Sequence, residues 1–469
     1  MSEDTKKLLI PIDLNTGQRE AFKKIVHFLE AGGDSMFLLE GYAGTGKTYL
    51  VSKIIRHVLT KFPGWKIAVT APTNKAVKVL QKSSSMKDRK LEFQTIHKLL
   101  GLKEQITNDG KQVFVRQNEE DSTIEDFHFV IVDEVSMLSD ELFVELYRHS
   151  GHVKLLYMGD PAQIPPVGKP DCIPFIPEER EKYVMDRCTL TETMRQAEGN
   201  PILAAAFAIR NDLKSDVHPD VPRQTTLGCD GKGVVIIDAN KKEERDKLTE
   251  LFTEKFDSPE FTANPDYAKI IAWRNVTVDN LNRIIRSIIY KQTDLAKIMP
   301  GEKLIANKPV VSDYDTIIFT TNDEFEVVSY DIRTRNYARN NYDEAVKLQI
   351  YEVKVRHIDI DGREITREVE ILHEDSEGDF NRHAAYLKSE AIKLKGKDRS
   401  WVKYYDFLRK FADVSYNYAI TAHKAQGSTY TNTFIIEDDI NYNRNVYERN
   451  RIKYTAYTRP TDLLYIVRR

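Results

Sequence analysis

The sequence predicts an α/β protein with two parallel-sheet cores facing each other, each carrying an insertion. Three observations carry this prediction. Apolar strand-like runs alternate with helical stretches in two separate series; a glycine-rich loop, GYAGTGKT at 41–48, joins a strand to a helix in the first; and residues 312–410 switch to period-two alternation within the second.

In chain order, the first helix is predicted over LNTGQREAFKKIVHFLEAGG. Asn15 or Thr16 caps it, Phe22, Ile25, Val26 and Leu29 form its apolar face, and Gly32 and Gly33 end it. Strands are read at MFLLE (36–40), KIAVTAP (66–72), FHFVIVDE (127–134) and VKLLYMGD (153–160), separated by helical patterns such as AVKVLQK and SDELFVELYRHS. These make a first core over 1–190. Inside it, residues 101–126 read as strand, turn and strand, with Asp109-Gly110 as the turn signal. Such a hairpin is either decoration on the core or a wedge against a nucleic-acid duplex.

The second series has GVVIIDA (233–239), YAKIIAWRN (267–275), TFIIEDD (433–439) and LLYIVRR (463–469). The alternating stretches EFEVVSYDI and VKLQIYEVKVRHIDI, with a turn at DGRE, read as a small antiparallel β unit at 312–410. It divides the second core into 191–311 and 411–469. Repeats and low-complexity tracts are absent.

A chain of 469 residues with 41% hydrophobic content can bury sizeable cores and divide into about three or four domains. Charged residues make up 30%, yet the formal net charge is only -3, so a nucleic-acid surface would be a local stripe. Cys172, Cys188 and Cys229 are too widely spaced for a zinc site or a disulfide framework, which points to a reducing compartment. Neither a membrane-length apolar run nor a signal peptide is read, so a cytoplasmic protein without a membrane partner is expected, in the bacterial host's cytoplasm if phage-encoded.

The chemistry starts at the glycine-rich loop. In G-x-x-x-x-G-K-[ST] between strand and helix, the N–H groups of Gly44, Thr45, Gly46 and Lys47 can wrap phosphates; Lys47 reaches the outer ones and Thr48 holds Mg²⁺. Asp133 and Glu134 close an apolar run. Carboxylates there can merely face solvent, but downstream of such a loop they read as a metal-binding Asp and a Glu that orients the attacking water. Gln163, in the proline-stiffened GDPAQIPPV, is a turn residue or a reporter on the γ-phosphate. Arg195 and Arg459 are either surface arginines or charges brought across a cleft to the γ-phosphoryl group.

Taken together, Gln18 in LNTGQ, GYAGTGKT, TAPTNKAVKVL (70–80), TIHKLL (95–100), VDEVSML, GDPAQIPP, TETMRQ, AITAHKAQGSTY (419–430) and YTAYTRP run in order from Gln18 to the C-terminus. This series resembles superfamily 1 DNA helicases of the 1B branch, specifically the Dda-like helicases of T4-type phages and more distantly the RecD helicases. The resemblance implies two RecA-like P-loop NTPase domains with an inserted wedge hairpin at 101–126 and an SH3-like small β-barrel at 312–410. It implies ATP and Mg²⁺ as cofactors, Gln18 as the adenine reader and Gly427 at the nucleotide. Single-strand contacts carry over to Pro72, Thr73, Thr95, His97, Thr421 and His423. Phe114 and Trp273 are candidates for base stacking, a core role being equally open for Trp273.

Three departures stand out. Position 74 is Asn74 where the T4-type pattern has histidine, replacing a stacking contact with a hydrogen-bonding one; LLGLKEQIT lacks the family's proline before the hairpin; and Arg459 is followed by proline instead of glycine. The resemblance implies a monomeric ATP-driven motor moving 5' to 3' on single-stranded DNA and unwinding forked duplex DNA, in phage replication, recombination or repair, with a single-strand-binding protein as a further partner. The alternatives are an ATP-switched single-strand-binding remodeller that displaces proteins, and an RNA helicase.

Overall fold

Asn15 starts the first helix, Thr16–Glu30: its side chain accepts from the Gln18 N–H at 2.8 Å while Gln18 Oε1 accepts from the Asn15 N–H, a reciprocal cap. The helix ends at Glu30, ahead of the expected glycines, with Ala31 already extended. The computed structural model describes residues 10–33, 35–84, 86, 88–107, 112–116, 122–192, 199–218, 220–311, 317–337, 345–395 and 397–469.

Two parallel sheets form the frame. The first orders its strands Leu91–Thr95, Ile67–Ala71, Phe129–Val132, Lys154–Gly159, Met36–Gly41, Asp186–Leu190. The second orders Ala419–Thr421, Ala268–Ala272, Tyr430–Ile436, Pro460–Arg468, Gly233–Asp238, with Thr226–Leu227 antiparallel at its edge. Counted along the chain, the first sheet reads 3-2-4-5-1-6 and the five parallel strands of the second read 3-2-4-5-1, the same order apart from the first sheet's last strand. Ligand loops therefore gather at matching strand ends. Strands such as Met36–Gly41 and Ile67–Ala71 are buried along their whole length, as a sheet covered on both faces requires. Pro460 opens its strand, where a missing N–H is tolerated.

The hairpin strands Leu102–Ile106 and Gln112–Arg116 pair antiparallel, with Leu102 opposite Arg116. The Asp109-Gly110 turn lies outside the described residues. Arg116 ties the hairpin to its core: Nε donates to Leu100 O at 3.1 Å, and Nη1 sits 3.1 Å from His149 Nδ1 on helix Asp140–Ser150. On the other side the strand Leu102–Ile106 meets helix Ser400–Arg409 of the second insertion.

That second insertion departs from the expected β unit in three ways. Its antiparallel sheet orders Glu364–Leu372, Val346–Ile358, Glu324–Tyr337, Lys303–Ala306, Val414–Tyr416, so the boundaries expected at 312 and 410 fall inside it. Lys303–Ala306 escaped the sequence reading because KLIA is buried throughout and shows no alternation. It also contains helices Glu377–Lys393 and Ser400–Arg409, which pack Ala384 and Phe407, with Phe411 just beyond the second helix, against Leu348 and Ile350. Finally, the edge strands Glu364–Leu372 and Val414–Tyr416 share no ladder among the described residues; a single backbone bond joins the two edges, the Ala412 N–H donating to Glu370 O at 2.7 Å, where a closed SH3-like barrel was expected. Its two central strands run 14 and 13 residues, long enough to support two small cores, one above the other.

The two cores and the insertion meet around Lys75. Its ammonium pairs with Asp266 of the second core at 2.9 Å and Glu324 of the insertion at 2.7 Å, and lies 4.8 Å over the Tyr430 ring. Burial opposes that charge, but Glu324, Tyr430 and Asp266 outweigh it and hold the ammonium well above its ordinary value. Nearby Lys269 bonds the carbonyl and side-chain oxygens of Asn417, and burial lowers it to about 8. Between about pH 8 and the ordinary lysine value the folded state has released this proton while the unfolded chain still holds it, so Lys269 favours the fold increasingly as pH rises. Urea denaturation of wild type and Lys269→Met at pH 7.5 and 9.5 should therefore show wild type gaining about 1–2 kcal/mol on the variant, given ~1.4 kcal/mol per unit. A pH-independent difference would contradict this.

Candidate nucleotide site and nucleic-acid interface

The strand Met36–Gly41 delivers the chain into a loop where Gly44 and Gly46 take φ of 76° and 75°, a region open to glycine at little steric cost. The helix Lys47–Lys61 begins at once, so its unpaired N–H groups face the loop. A Cβ on Gly41 would come within 2.8 Å of both Lys47 Cγ and Thr45 Oγ1, which is why the strand must end in glycine there. Lys47 folds over the loop, its ammonium donating to the carbonyls of Gly41 and, at 3.3 Å, Tyr42. Thr48 is the second residue of the helix, half-buried beside it. The loop thus has the donors for a polyphosphate.

Gln18 is fully buried beneath this loop, with Nε2 donating to Thr45 O at 3.1 Å. Together with its reciprocal cap to Asn15, this makes Gln18 a brace between the first helix and the loop.

Asp133 and Glu134 follow the strand Phe129–Val132. Glu134 has φ 52°, an uncommon conformation for a side-chain-bearing residue, and its N–H donates to Asp133 Oδ1 at 2.8 Å. Burial first, and then the Glu134 carboxylate, raise the Asp133 carboxyl to about 7, opposed by that N–H and by Lys47. Gly427 of the second core closes on this pair: at φ 72°, its Cβ position lies 3.2 Å from Ala76 Cβ and 3.8 Å from Glu134 Cγ.

Gln163 is buried at the seam between the cores. Gln426 Nε2 donates to Gln163 Oε1 at 3.4 Å, Ser136 Oγ at 3.1 Å and Ile164 O at 3.0 Å. Arg451 Nε donates to Gln163 O at 2.6 Å, and its Nη1 pairs with Asp171 at 2.9 Å. Ser136, Gln426 and Arg451 were missed by sequence reading. Gln426 neighbours a singled-out glycine, whereas Arg451 carries no pattern that distinguishes it from any helical arginine.

Arg459 turns into its own core. Its guanidinium donates to Thr455 O at 2.9 Å, Ser428 O at 3.1 Å and Thr458 Oγ1 at 2.9 Å. In this geometry it braces the loop carrying Gly427 and does not span the cleft. Arg195 lies outside the described residues.

The candidate strand contacts divide into two matching turns. Thr95 caps the one-turn helix Ile96–Leu99, accepting from Lys98 N at 3.3 Å; Thr421 caps Ala422–Ala425, accepting from Lys424 N at 3.4 Å. Each Thr-x-His-Lys turn follows the third strand of its core, at the same sheet edge. Burial lowers both His97 and His423, the latter opposed by Glu448, so both rings are held towards the neutral form and the lysines supply the positive charge. Phe114, 55% exposed on the hairpin, has its ring centroid 4.9 Å from that of His97. Beside the second turn a cavity of about 400 Å³ is lined by Asn275, Asp279, Asn307, Ser415, Thr421 and Lys424. Lys424 is anchored there by Asn307 Oδ1 at 2.6 Å.

One residue stands otherwise than expected. Pro72 and Thr73 follow their strand as predicted, Thr73 Oγ1 accepting from Ala76 N at 3.3 Å, but Asn74 is taken up by the insertion: Nδ2 donates to Thr320 Oγ1 at 2.8 Å and to Asp323 at 3.1 Å. That donor therefore holds protein against protein. Trp273 packs partly against the apolar cluster of the second core, with its backbone N–H on Asp439 Oδ2 at 2.8 Å; the packing of its side chain favours its core role.

Comparison with known proteins adds the decisive observation. An AAA domain model matches residues 13–219, and a UvrD-like helicase C-terminal domain model matches 416–467, on the two cores respectively. The ATP-dependent DNA helicase dda of Enterobacteria phage T4 is 27% identical, covering 97% of this chain and 99% of that protein. The chain is a superfamily 1B helicase. This helicase is 29% identical to an uncharacterized protein of Acanthamoeba polyphaga mimivirus over 96% of its own length, and 24% identical to the RecBCD subunit RecD of Buchnera aphidicola over 99% of its own length and 75% of that protein's. Among solved structures, the Pif1 helicase of Candida albicans matches 97% of the helicase and 94% of its own chain at 15% identity and a TM-score of 0.48. No helix among the described residues of the helicase is long and apolar enough to cross a membrane. It is an ATP-hydrolysing enzyme with RecA-like cores.

Proposed function

We propose that the protein is an ATP-driven motor that moves 5' to 3' on single-stranded DNA and unwinds the duplex ahead of it. The observation that carries this reading is the pair of Thr-x-His-Lys turns, one on each core at equivalent sheet edges, flanking a cleft closed by Gly427 against Glu134. Two grips on separate bodies, with a hydrolysis site between them, convert cleft opening and closing into movement along a strand. Hydroxyls, capped N–H groups and a lysine in each turn suit backbone phosphates and carry no sequence preference. The polarity rests on the resemblance to the 1B branch.

For the chemistry, Lys47 would bind the outer phosphates and Glu134 would orient the attacking water and take its proton. Thr48 and Asp133 would hold a Mg²⁺ ion, being a hydroxyl on the phosphate-loop helix and a carboxylate that feels the charge of neighbouring Lys47; when bound it would supply charge that offsets the phosphates. Arg195 and Arg459 are proposed to neutralise charge on the γ-phosphoryl group, for Arg459 only after its bond to Ser428 O is released.

ATPase activity with and without single-stranded DNA, followed by unwinding of duplexes with either a 5' or a 3' tail, tests this. Stimulation with unwinding only of the 5'-tailed duplex is expected. Stimulation without strand separation would favour the remodeller, and stimulation by RNA alone the RNA helicase.

The hairpin is proposed as the wedge, with Phe114 meeting the fork. Phe114→Ala should reduce the ratio of unwinding rate to single-strand translocation rate about 5- to 160-fold, the kinetic equivalent of losing about 1–3 kcal/mol of base stacking. An unchanged ratio would assign strand separation to another surface.

A further inference from the structure

The first half of the phosphate loop packs on an apolar cluster built mainly by the opposite core: Tyr42 and Ala43 lie against the cluster that contains Ile202, Ala206 and Ile209 of the second core. Two polar contacts hold it there. The Ala43 N–H is shared between Asp160 Oδ2 at 3.1 Å and the Tyr454 hydroxyl oxygen at 3.0 Å, and that hydroxyl donates to the same Asp160 oxygen at 2.6 Å. Asp160 is fully buried, its other oxygen accepting from Ala162 N at 2.9 Å. Burial and then the Asp160 charge push the Tyr454 phenol well up, so it remains a donor throughout the working range. Next along the loop, Arg210 places its guanidinium 4.1 Å over the Tyr42 ring. Arg210 ends helix Pro201–Arg210, which packs on helix Val446–Tyr457, the carrier of Tyr454.

We infer that Tyr454 and Arg210 are positioning residues that couple the backbone of the phosphate loop to the second core, so that nucleotide binding alters the grip on nucleic acid without either side chain touching a phosphate. The inference rests on the proposed ATP-driven action on single strands. The physical argument is the shared donor. A loop drawn round a polyphosphate re-aims its N–H groups; if the part-buried Ala43 N–H leaves, it loses both acceptors and the buried Asp160 oxygen keeps only the Tyr454 hydroxyl, a cost avoided when helix Val446–Tyr457 follows the loop. Arg210 on Tyr42 makes the same link through a stacked plane, which a lysine does not reproduce.

Two measurements on the full-length chain test this. The first is the ratio of oligo-dT affinities with and without a non-hydrolysable ATP analogue, a direct measure of coupling between the sites. In Tyr454→Phe this ratio should move at least about fivefold towards unity, with nucleotide-free affinity unchanged within about twofold; Arg210→Lys should shift it the same way. The second needs no nucleic acid: the analogue should change hydrogen exchange in helix Val446–Tyr457 of wild type, and this response should be lost in Tyr454→Phe. Persistence of the wild-type exchange response in Tyr454→Phe, or an unchanged affinity ratio in both variants, overturns the inference. If the exchange response depends on Tyr454 but wild type binds no oligonucleotide, the coupling stands and the reading as a single-strand motor fails.

Discussion

Glu134→Gln is expected to keep nucleotide affinity within a few fold while lowering turnover about 10³-fold, which is the scale of losing one transition-state group in a preorganised site. The contrast follows from the Asp133–Glu134 pair. After burial, the Glu134 carboxylate is the next cause of the raised Asp133 carboxyl. Removing that charge lets Asp133 ionise more readily, so a variant with an amide at 134 should hold the divalent cation and nucleotide at least as well as wild type. What it loses is the base for the attacking water. Lys47→Ala should act differently, raising the nucleotide dissociation constant as well as stopping turnover, because no other ammonium among the described residues folds over the loop. Equilibrium binding of a fluorescent nucleotide beside steady-state ATPase measurements separates the two. Near-normal turnover in Glu134→Gln would remove that residue from its assigned role.

Lys75→Ala is expected to be among the most destabilising single substitutions outside the apolar cores, by about 3 kcal/mol. The ammonium stands between Asp266 and Glu324, with side-chain exposures of 39% and 25%, and faces the buried Tyr430 ring. Deleting it leaves the partly exposed Glu324 carboxylate without its ion-pair partner, with Lys269 and Lys78 as more distant cations. Part of the Asp266 pairing is screened by solvent, which keeps the estimate at the low end of the range for buried pairs. A double variant, Lys75→Met with Glu324→Leu, should recover most of the loss, since replacing both charges removes the stranded carboxylate. Denaturant melts of the two single variants and the double variant give the coupling energy. Additive losses would mean that the junction is not held by this pair.

Some of this architecture is legible along the chain because its determinants are local. The spacing of Gly41, Gly46, Lys47 and Thr48 carries the phosphate loop, since a backbone that must pass through φ above 70° and then launch a helix restricts those positions. Continuous apolar runs mark strands covered on both faces, and both Thr-x-His-Lys turns are visible as caps three residues ahead of a lysine. The helices Glu377–Lys393 and Ser400–Arg409 were overlooked because the neighbouring alternating strands dominate the pattern and their apolar faces cover only a small cluster.

Side-chain partners distant in the chain have no local signal. Asn74 has an amide suited to a phosphate or a carboxylate, and only the approach of Thr320 and Asp323, some 250 positions away, decides between them. Arg459 has the charge to cross the cleft, yet the carbonyls left at the end of its own helix and at Ser428 take it up first. By itself, then, the sequence determined which backbone segments bend, cap and pleat, and so where a triphosphate and a strand could be held. The tertiary structure alone decided which buried donors are already spent on protein. A hydrogen bond made across the cleft depends on how two cores pack, and packing sums contributions from both cores that no single window of the chain contains.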